Sequence, residues 1–153
     1  MPYLRGDGMS NNNFVIIGAG LTPNTTQTRI LYNADNDGCG IFLPNDILKM
    51  AGLLNVNEVK LYKNNQTKEL VIAHPASPAP SAGYIQVGRG NRNYSLREPN
   101  ITGIGKVVRI PKDVAITFGL TVNNQCKYSV FENPLYLVPK IDAQNRWIII
   151  KFP

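Results

Sequence analysis

Cysteine and histidine are scarce in this sequence, with 2 and 1 copies in 153 residues. Two cysteines are too few for a disulfide framework, so we interpret Cys39 and Cys126 as separate, packed thiols and expect a reducing, cytoplasmic compartment. A zinc site needs more ligands at metal spacing, and His74 stands alone beside a proline. We therefore predict no metal and no cofactor, and we interpret His74 as a bystander.

Long apolar runs and catalytic motifs are also missing. No run approaches the roughly 20 apolar residues that span a bilayer, and the N-terminus lacks the pattern of a secretory signal, so we expect no membrane partner. The glycine-rich stretches at 18–26 and 88–93 lack the Gly-Lys-Ser/Thr of a phosphate-binding loop. The 10 acidic residues are scattered. These absences predict that the protein is not an enzyme and has no catalytic residues.

Turn-forming residues are abundant instead, with 13 Gly, 11 Pro and several asparagine pairs. They favour many turns, short strands and short helices over long helices. The Pro/Ser/Ala-rich stretch 76–83 is typical of an extended linker. It divides the chain into residues 1–75, which begin with a loose arm at 1–13, and residues 84–153.

Two segments on either side of this linker resemble each other at a constant shift of 67 residues. Residues 43–71 align without a gap on residues 110–138. The identical pairs are Pro44/Pro111, Asp46/Asp113, Gly52/Gly119, Leu53/Leu120, Asn57/Asn124, Lys60/Lys127, Leu70/Leu137 and Val71/Val138. Chance similarity between two β-rich segments is the alternative. Identity at turn-forming positions favours an internal repeat.

Each repeat predicts a strand ending at proline, a short helix ending at glycine, and a strand hairpin. The second copy, "GKVVRIPKDVAITFGLTVNNQCKYSV" at 105–130, resembles the AbrB/MazE family of swapped-hairpin barrels, and the first copy matches less closely. The resemblance implies two fused units in a compact β-barrel-like core. It also implies a homo-oligomer that binds double-stranded DNA as a regulator. The predicted fold class is therefore mostly β with short helices.

Positive charge is concentrated in residues 84–112, which hold six basic residues and one acid, or +5 of the net +6. Arginine binds phosphate bidentately and tyrosine stacks on bases, so their interleaving favours single-stranded nucleic acid. A solvated loop with core-facing tyrosines is the alternative. The candidate nucleic-acid-binding residues are Tyr84, Arg89, Arg92, Tyr94, Arg97, Lys106, Arg109 and Lys112.

These observations predict a nucleic-acid-binding accessory protein in transcription or DNA metabolism, with single-stranded DNA favoured over duplex. A duplex-binding AbrB-like regulator and an antitoxin-like protein-interaction module are the alternatives. A polymerase or another protein is a further candidate partner. The asparagine-rich turns and low charge density fit a phage or mobile-element protein.

Overall fold

The computed structural model describes residues 28–32, 39–90, 92–98, 103–128 and 135–153, with the side chains of 28–32 and 136 not described. The predicted arm at 1–13 and the turn at 33–38 lie outside these residues. The described elements, in chain order, are β1 (Thr28–Tyr32), β2 (Cys39–Pro44), α1 (Asn45–Met50), β3 (Glu58–Asn64), β4 (Glu69–Ala73), β5 (Ile85–Gln86), β6 (Tyr94–Arg97), β7 (Gly105–Ile110), α2 (Lys112–Thr117), β8 (Thr121–Val122), β9 (Gln125–Cys126), β10 (Tyr136–Leu137), β11 (Lys140–Asp142) and β12 (Trp147–Lys151).

Within the described residues, one curled antiparallel sheet forms a half-barrel with the strand order β10-β1-β2-β7-β6-β3-β4-β12-β11, and β5 pairs with β3. The strands β8 and β9 form a separate hairpin. The predicted fold class, mostly β with short helices around a barrel-like core, is confirmed. Strands from both sides of the predicted linker are mixed in this sheet, because β2 pairs with β7 and β4 pairs with β12. The two sequence halves therefore share one core.

Alternation along the strands separates two apolar clusters. The main cluster takes every second residue of the central strands, for example Val59 and Leu61 of β3, together with residues of both helices. The intervening residues of β3, β4 and β12 form a smaller cluster on the opposite face, built on Tyr62, Val71 and Ala73. Side chains on a strand point alternately to opposite faces, so a two-residue period explains both clusters.

The two predicted strand–helix junctions have the same local geometry. Pro44 and Pro111 precede α1 and α2 with φ of −59° and −55°, and proline is harmless there because the first helical N–H groups have no partner inside the helix. Gly52 and Gly119 follow the helices with φ of +72° and +73°, a conformation that glycine adopts without steric cost. The N–H of Leu53 donates to Leu48 O at 2.8 Å, and the N–H of Leu120 donates to Ala115 O at 2.8 Å.

The described parts of the two segments differ after the helices. In the first segment, β3 and β4 form the predicted hairpin. In the second, β9 pairs with β8, while β10 pairs with β1. Residues 129–134, where the second hairpin was expected, lie outside the described residues. The shared geometry therefore covers the strand, the helix and the glycine turn.

The cysteines correct a prediction. Cys39 and Cys126, expected to be separate thiols, form a disulfide with Cα atoms 5.2 Å apart. The bond joins the core strand β2 to the β8–β9 hairpin across 87 residues of sequence. Sequence spacing carried no signal for it, because only the fold brings β9 beside β2. Two separate thiols were the reason for expecting a reducing compartment, and that reason no longer holds.

The stretch 76–83 connects β4 to β5 and is held at several points. The N–H of Ala76 donates to Nδ1 of His74 at 3.0 Å, and the indole N–H of Trp147 donates to the carbonyl of Pro78 at 3.1 Å. The backbone of His74 is also held, since its amide N–H donates to the carbonyl of Arg146 at 3.1 Å. Partial burial and the positive charge of Arg146 both lower the pKa of His74 below its usual value. The first part of the segment is therefore tied to Trp147, which packs against the smaller apolar cluster.

Candidate nucleic-acid interface

Two of the predicted arginines lie on the outer face of the sheet. In the pairing of β6 with β7, Leu96 is opposite Val108 and Arg97 is opposite Val107. Leu96 and Val108 are buried in the main core. Arg97 and Arg109 are each one residue away from these buried positions, and both are exposed. The two-residue period of a strand therefore directs both guanidinium groups away from the core.

The neighbour of Arg109 on β2 is Gly40, which has no side chain. That glycine leaves the β2 side of Arg109 without a side chain to cover it. Neither Arg97 nor Arg109 has a hydrogen-bond or ion-pair partner among the residues that the structure describes.

Arg89 and Arg92 lie in the loop between β5 and β6, which turns sharply at two glycines. Gly88 and Gly90 have φ of +91° and +61°. A β-carbon on Gly88 would lie 2.6 Å from the hydroxyl of Tyr94 and 3.2 Å from Cδ of Arg92, so the close packing at this position requires glycine. Both arginines are exposed. The loop therefore extends the positive charge of β6 and β7 toward β5.

Tyr94 is partly buried and packs against the main core. The guanidinium carbon of Arg92 lies 5.1 Å from the centre of its ring, within cation–π range. Burial raises the pKa of Tyr94, and the positive charge of Arg92 opposes that rise. Tyr94 therefore packs under the loop and holds Arg92 in place. Less of its ring is exposed for stacking on a base than the sequence analysis expected.

Tyr84 occupies a different environment from the arginines. Its hydroxyl donates to Oε1 of Glu69 at 2.6 Å, and its ring packs against the smaller apolar cluster. The hydrogen bond to this carboxylate, with burial in support, raises the pKa of Tyr84 to about 12. The same bond is the main reason that the pKa of Glu69 is lowered. Tyr84 therefore packs on the sheet and is not grouped with the exposed arginines.

Lys106 is also occupied within the protein. Its Nζ donates to the carbonyls of Leu54 and Val56 at 3.1 and 2.8 Å, and the side chain is half-buried. These two carbonyls belong to the turn after α1, so Lys106 ties that turn to β7. Lys112 begins α2 and is exposed.

Asn93 and Lys60 form a contact that sequence reasoning missed. Lys60 Nζ donates to Oδ1 of Asn93 at 3.0 Å, and Nδ2 of Asn93 donates to Oε1 of Glu58 at 3.1 Å. The pair anchors the loop before β6 to β3. Lys60 and Asn93 are 33 residues apart, so no local sequence pattern indicated the contact.

The structure therefore separates the eight predicted residues into two groups. Tyr84, Tyr94 and Lys106 are partly buried by packing or internal hydrogen bonds. The exposed members form what we call the basic surface: Arg89, Arg92, Arg97, Arg109 and Lys112.

No group of three or more His, Cys, Asp or Glu side chains in the described residues could hold a metal ion. Within the same residues, no helix is long and apolar enough to cross a membrane. No profile of a known protein family, no curated protein and no solved structure matches the chain. The resemblance to AbrB/MazE proteins stays a prediction.

Proposed function

We propose that the chain is a nucleic-acid-binding accessory protein that acts in transcription or DNA metabolism and contacts phosphates through the basic surface. The observation that supports this most directly is the placement of Arg97 and Arg109 on one outer sheet face, exposed and without a partner among the described residues. Guanidinium groups match phosphate geometry and remain charged at all physiological pH values. The net charge of +6 would further attract a polyanion.

Single-stranded DNA is the favoured ligand in this proposal. The sequence argument relied on two tyrosines as stacking groups. The Tyr84 ring packs against the smaller apolar cluster and the Tyr94 ring against the main core, so stacking now depends mainly on the arginine planes. Arginine guanidinium groups also stack on unpaired bases, and the guanidinium carbon of Arg92 already lies 5.1 Å from the centre of the Tyr94 ring. A duplex regulator, as the AbrB/MazE resemblance implies, remains the alternative of the same class.

Competition binding between single-stranded and duplex oligonucleotides of equal length, at several salt concentrations, tests the proposal. The double variant Arg97→Ala/Arg109→Ala should weaken binding. On a single strand it should also reduce the salt slope, which is the slope of log K against log salt concentration, by up to about 1.4, or about 0.7 for each lost phosphate contact. Its matched control, Lys49→Ala/Lys63→Ala, removes the same charge from other surfaces and should leave the slope almost unchanged.

A salt-independent affinity, or equal effects of the two double variants, would contradict the proposal. Absence of binding to either oligonucleotide would favour the other class of function, an antitoxin-like module that binds a protein. Thermal melting of both variants should accompany the titrations, so that unfolding is not mistaken for lost contacts.

Different observations bear on the cellular location and on the assembly. A DNA-binding role favours the cytoplasm, whereas the Cys39–Cys126 bond is typical of oxidising compartments. The resemblance favours a homo-oligomer. Cell fractionation tests the location, and mass measurement of the native protein tests the oligomeric state.

A further inference from the structure

The pairing of β2 with β7 reveals a local two-fold relation between the two halves of the chain. Ile41 is opposite Val108, and Pro44 and Pro111 occupy the same place before their helices. Both pairs differ by 67 positions. An antiparallel pair of equivalent strands has a two-fold axis where a residue faces its own equivalent. The axis therefore passes between Ile41 and Val108.

The rest of the register agrees with this axis. Cys39 faces Ile110 and Leu43 faces Lys106, and a shift of 67 exchanges these two pairs. The helices α1 and α2 follow the two strands and therefore lie on opposite sides of the axis. A symmetric binding protein would carry the same charges on both sides.

The charges on the two sides are unequal. Residues 106–128 have four basic residues and one acid, a net charge of +3, whereas the equivalent residues 39–61 have two of each and are neutral. The equivalent of Arg109 is Phe42, which is only 3% exposed. The equivalent of Lys112 is Asn45, whose side chain donates to the carbonyl of Gly103 at 2.7 Å. Arg109 and Lys112, on the α2 side of the axis, therefore have no basic equivalent on the α1 side.

We propose that one chain binds nucleic acid on the α2 side of this axis alone, so that the complex has a one-sided, non-palindromic footprint. This inference rests on the proposed function, because it concerns how the basic surface is used. Phosphate contacts supply most of the affinity of such proteins, and they require positive charge where the strand lies. Among the described residues, the α1 side has no basic counterpart of Arg109 or Lys112 and would not position a second strand or a second half-site.

Site-directed cleavage from two equivalent positions tests this directly. Met50 and Thr117 differ by 67 positions and lie at the ends of α1 and α2, and both are exposed. The variants Met50→Cys and Thr117→Cys each offer one thiol for an iron chelate that cleaves nearby nucleic acid, because Cys39 and Cys126 are joined to each other. The probe is an end-labelled single strand of about 20 nucleotides, longer than a single site of this type, together with the same sequence as a duplex.

The chelate at position 117 should cleave the bound strand at a defined place, and the chelate at position 50 should cleave it several-fold less. Equal cleavage from both positions, or stronger cleavage from position 50, would overturn the one-sided footprint while leaving nucleic-acid binding intact. Failure of the labelled proteins to bind the probe at low salt would instead refute the proposed function on which the inference rests.

Titration with unlabelled variants gives a second readout. Arg109→Ala should reduce the salt slope by up to about 0.7, and Lys49→Ala on the α1 side should not change it. Equal changes in slope for these two folded variants would also overturn the inference.

Discussion

Removal of the Cys39–Cys126 disulfide should cost the protein a large part of its stability. The bond closes a loop of 87 residues, and the chain-entropy relation for a loop of that length gives about 4.6 kcal/mol at 25 °C. Domains of this size are typically stable by only about 5–15 kcal/mol. The variant Cys126→Ala is the better perturbation, because Cys126 is partly exposed whereas Cys39 is fully buried.

The assay is urea unfolding of the wild type and of Cys126→Ala, each with and without a dithiol reductant. With a slope of about 2 kcal/mol per molar urea, the loss should shift the unfolding midpoint by roughly 2 M. The reductant should move the wild type to nearly the midpoint of the variant and should leave the variant unchanged. In the variant, Cys39 becomes a thiol that can donate to the carbonyl of Leu120, since its sulfur lies 3.6 Å away.

Two results would refute this reasoning. Alkylation of both cysteines in denaturant without reductant would show that the bond is absent from the protein. A wild type with an intact bond but the same midpoint as the variant would show that the closed loop does not restrict the unfolded chain.

Three further predictions concern single residues. Gly52→Ala and Gly119→Ala should each cost about 1–2 kcal/mol for a left-handed backbone, and Gly52→Ala should cost more in urea unfolding because its β-carbon would lie 3.1 Å from the Arg146 side chain. Lys106→Ala should lose about 0.5–1.5 kcal/mol of stability by removing its hydrogen bonds to the carbonyls of Leu54 and Val56, with little change in the salt slope of binding, and the reverse outcome would place Lys106 in the interface. The pKa of Tyr84 is raised from 10.0 to about 12, so folding favours the protonated phenol. The resulting contribution to stability is complete below pH 10 and is lost toward pH 12. A Tyr84→Phe variant with the same alkaline loss of stability as the wild type would contradict this prediction.

Local chemistry made much of the fold predictable. Proline before each helix, glycine after it and alternating apolar residues in the strands depend on a few neighbouring positions, and the structure has these features at Pro44, Pro111, Gly52 and Gly119. The concentration of arginine between residues 84 and 112 was likewise visible in the sequence. Each of these properties is a consequence of backbone conformation or composition over a short stretch of chain.

The candidate site was predictable only in part. In the sequence, Lys106 and Arg109 are both basic residues before a helix. In the structure, Lys106 donates to two carbonyls, whereas Arg109 faces outward opposite Gly40. Tyr84 and Tyr94 both read as stacking groups, yet their rings pack against two different apolar clusters. A side chain's role here depends on the strand beside it, which the residue's own neighbours in sequence do not specify.

The sequence by itself determined the strand, helix and glycine turn of each repeat and the local excess of positive charge, because these depend on residues within a few positions of one another. Only the tertiary structure decided the pairing of β2 with β7 across the chain, the joining of Cys39 to Cys126, and the outward placement of Arg97 and Arg109. Those features depend on contacts between distant segments, and such contacts form only when burial of the shared core selects one register of the sheet.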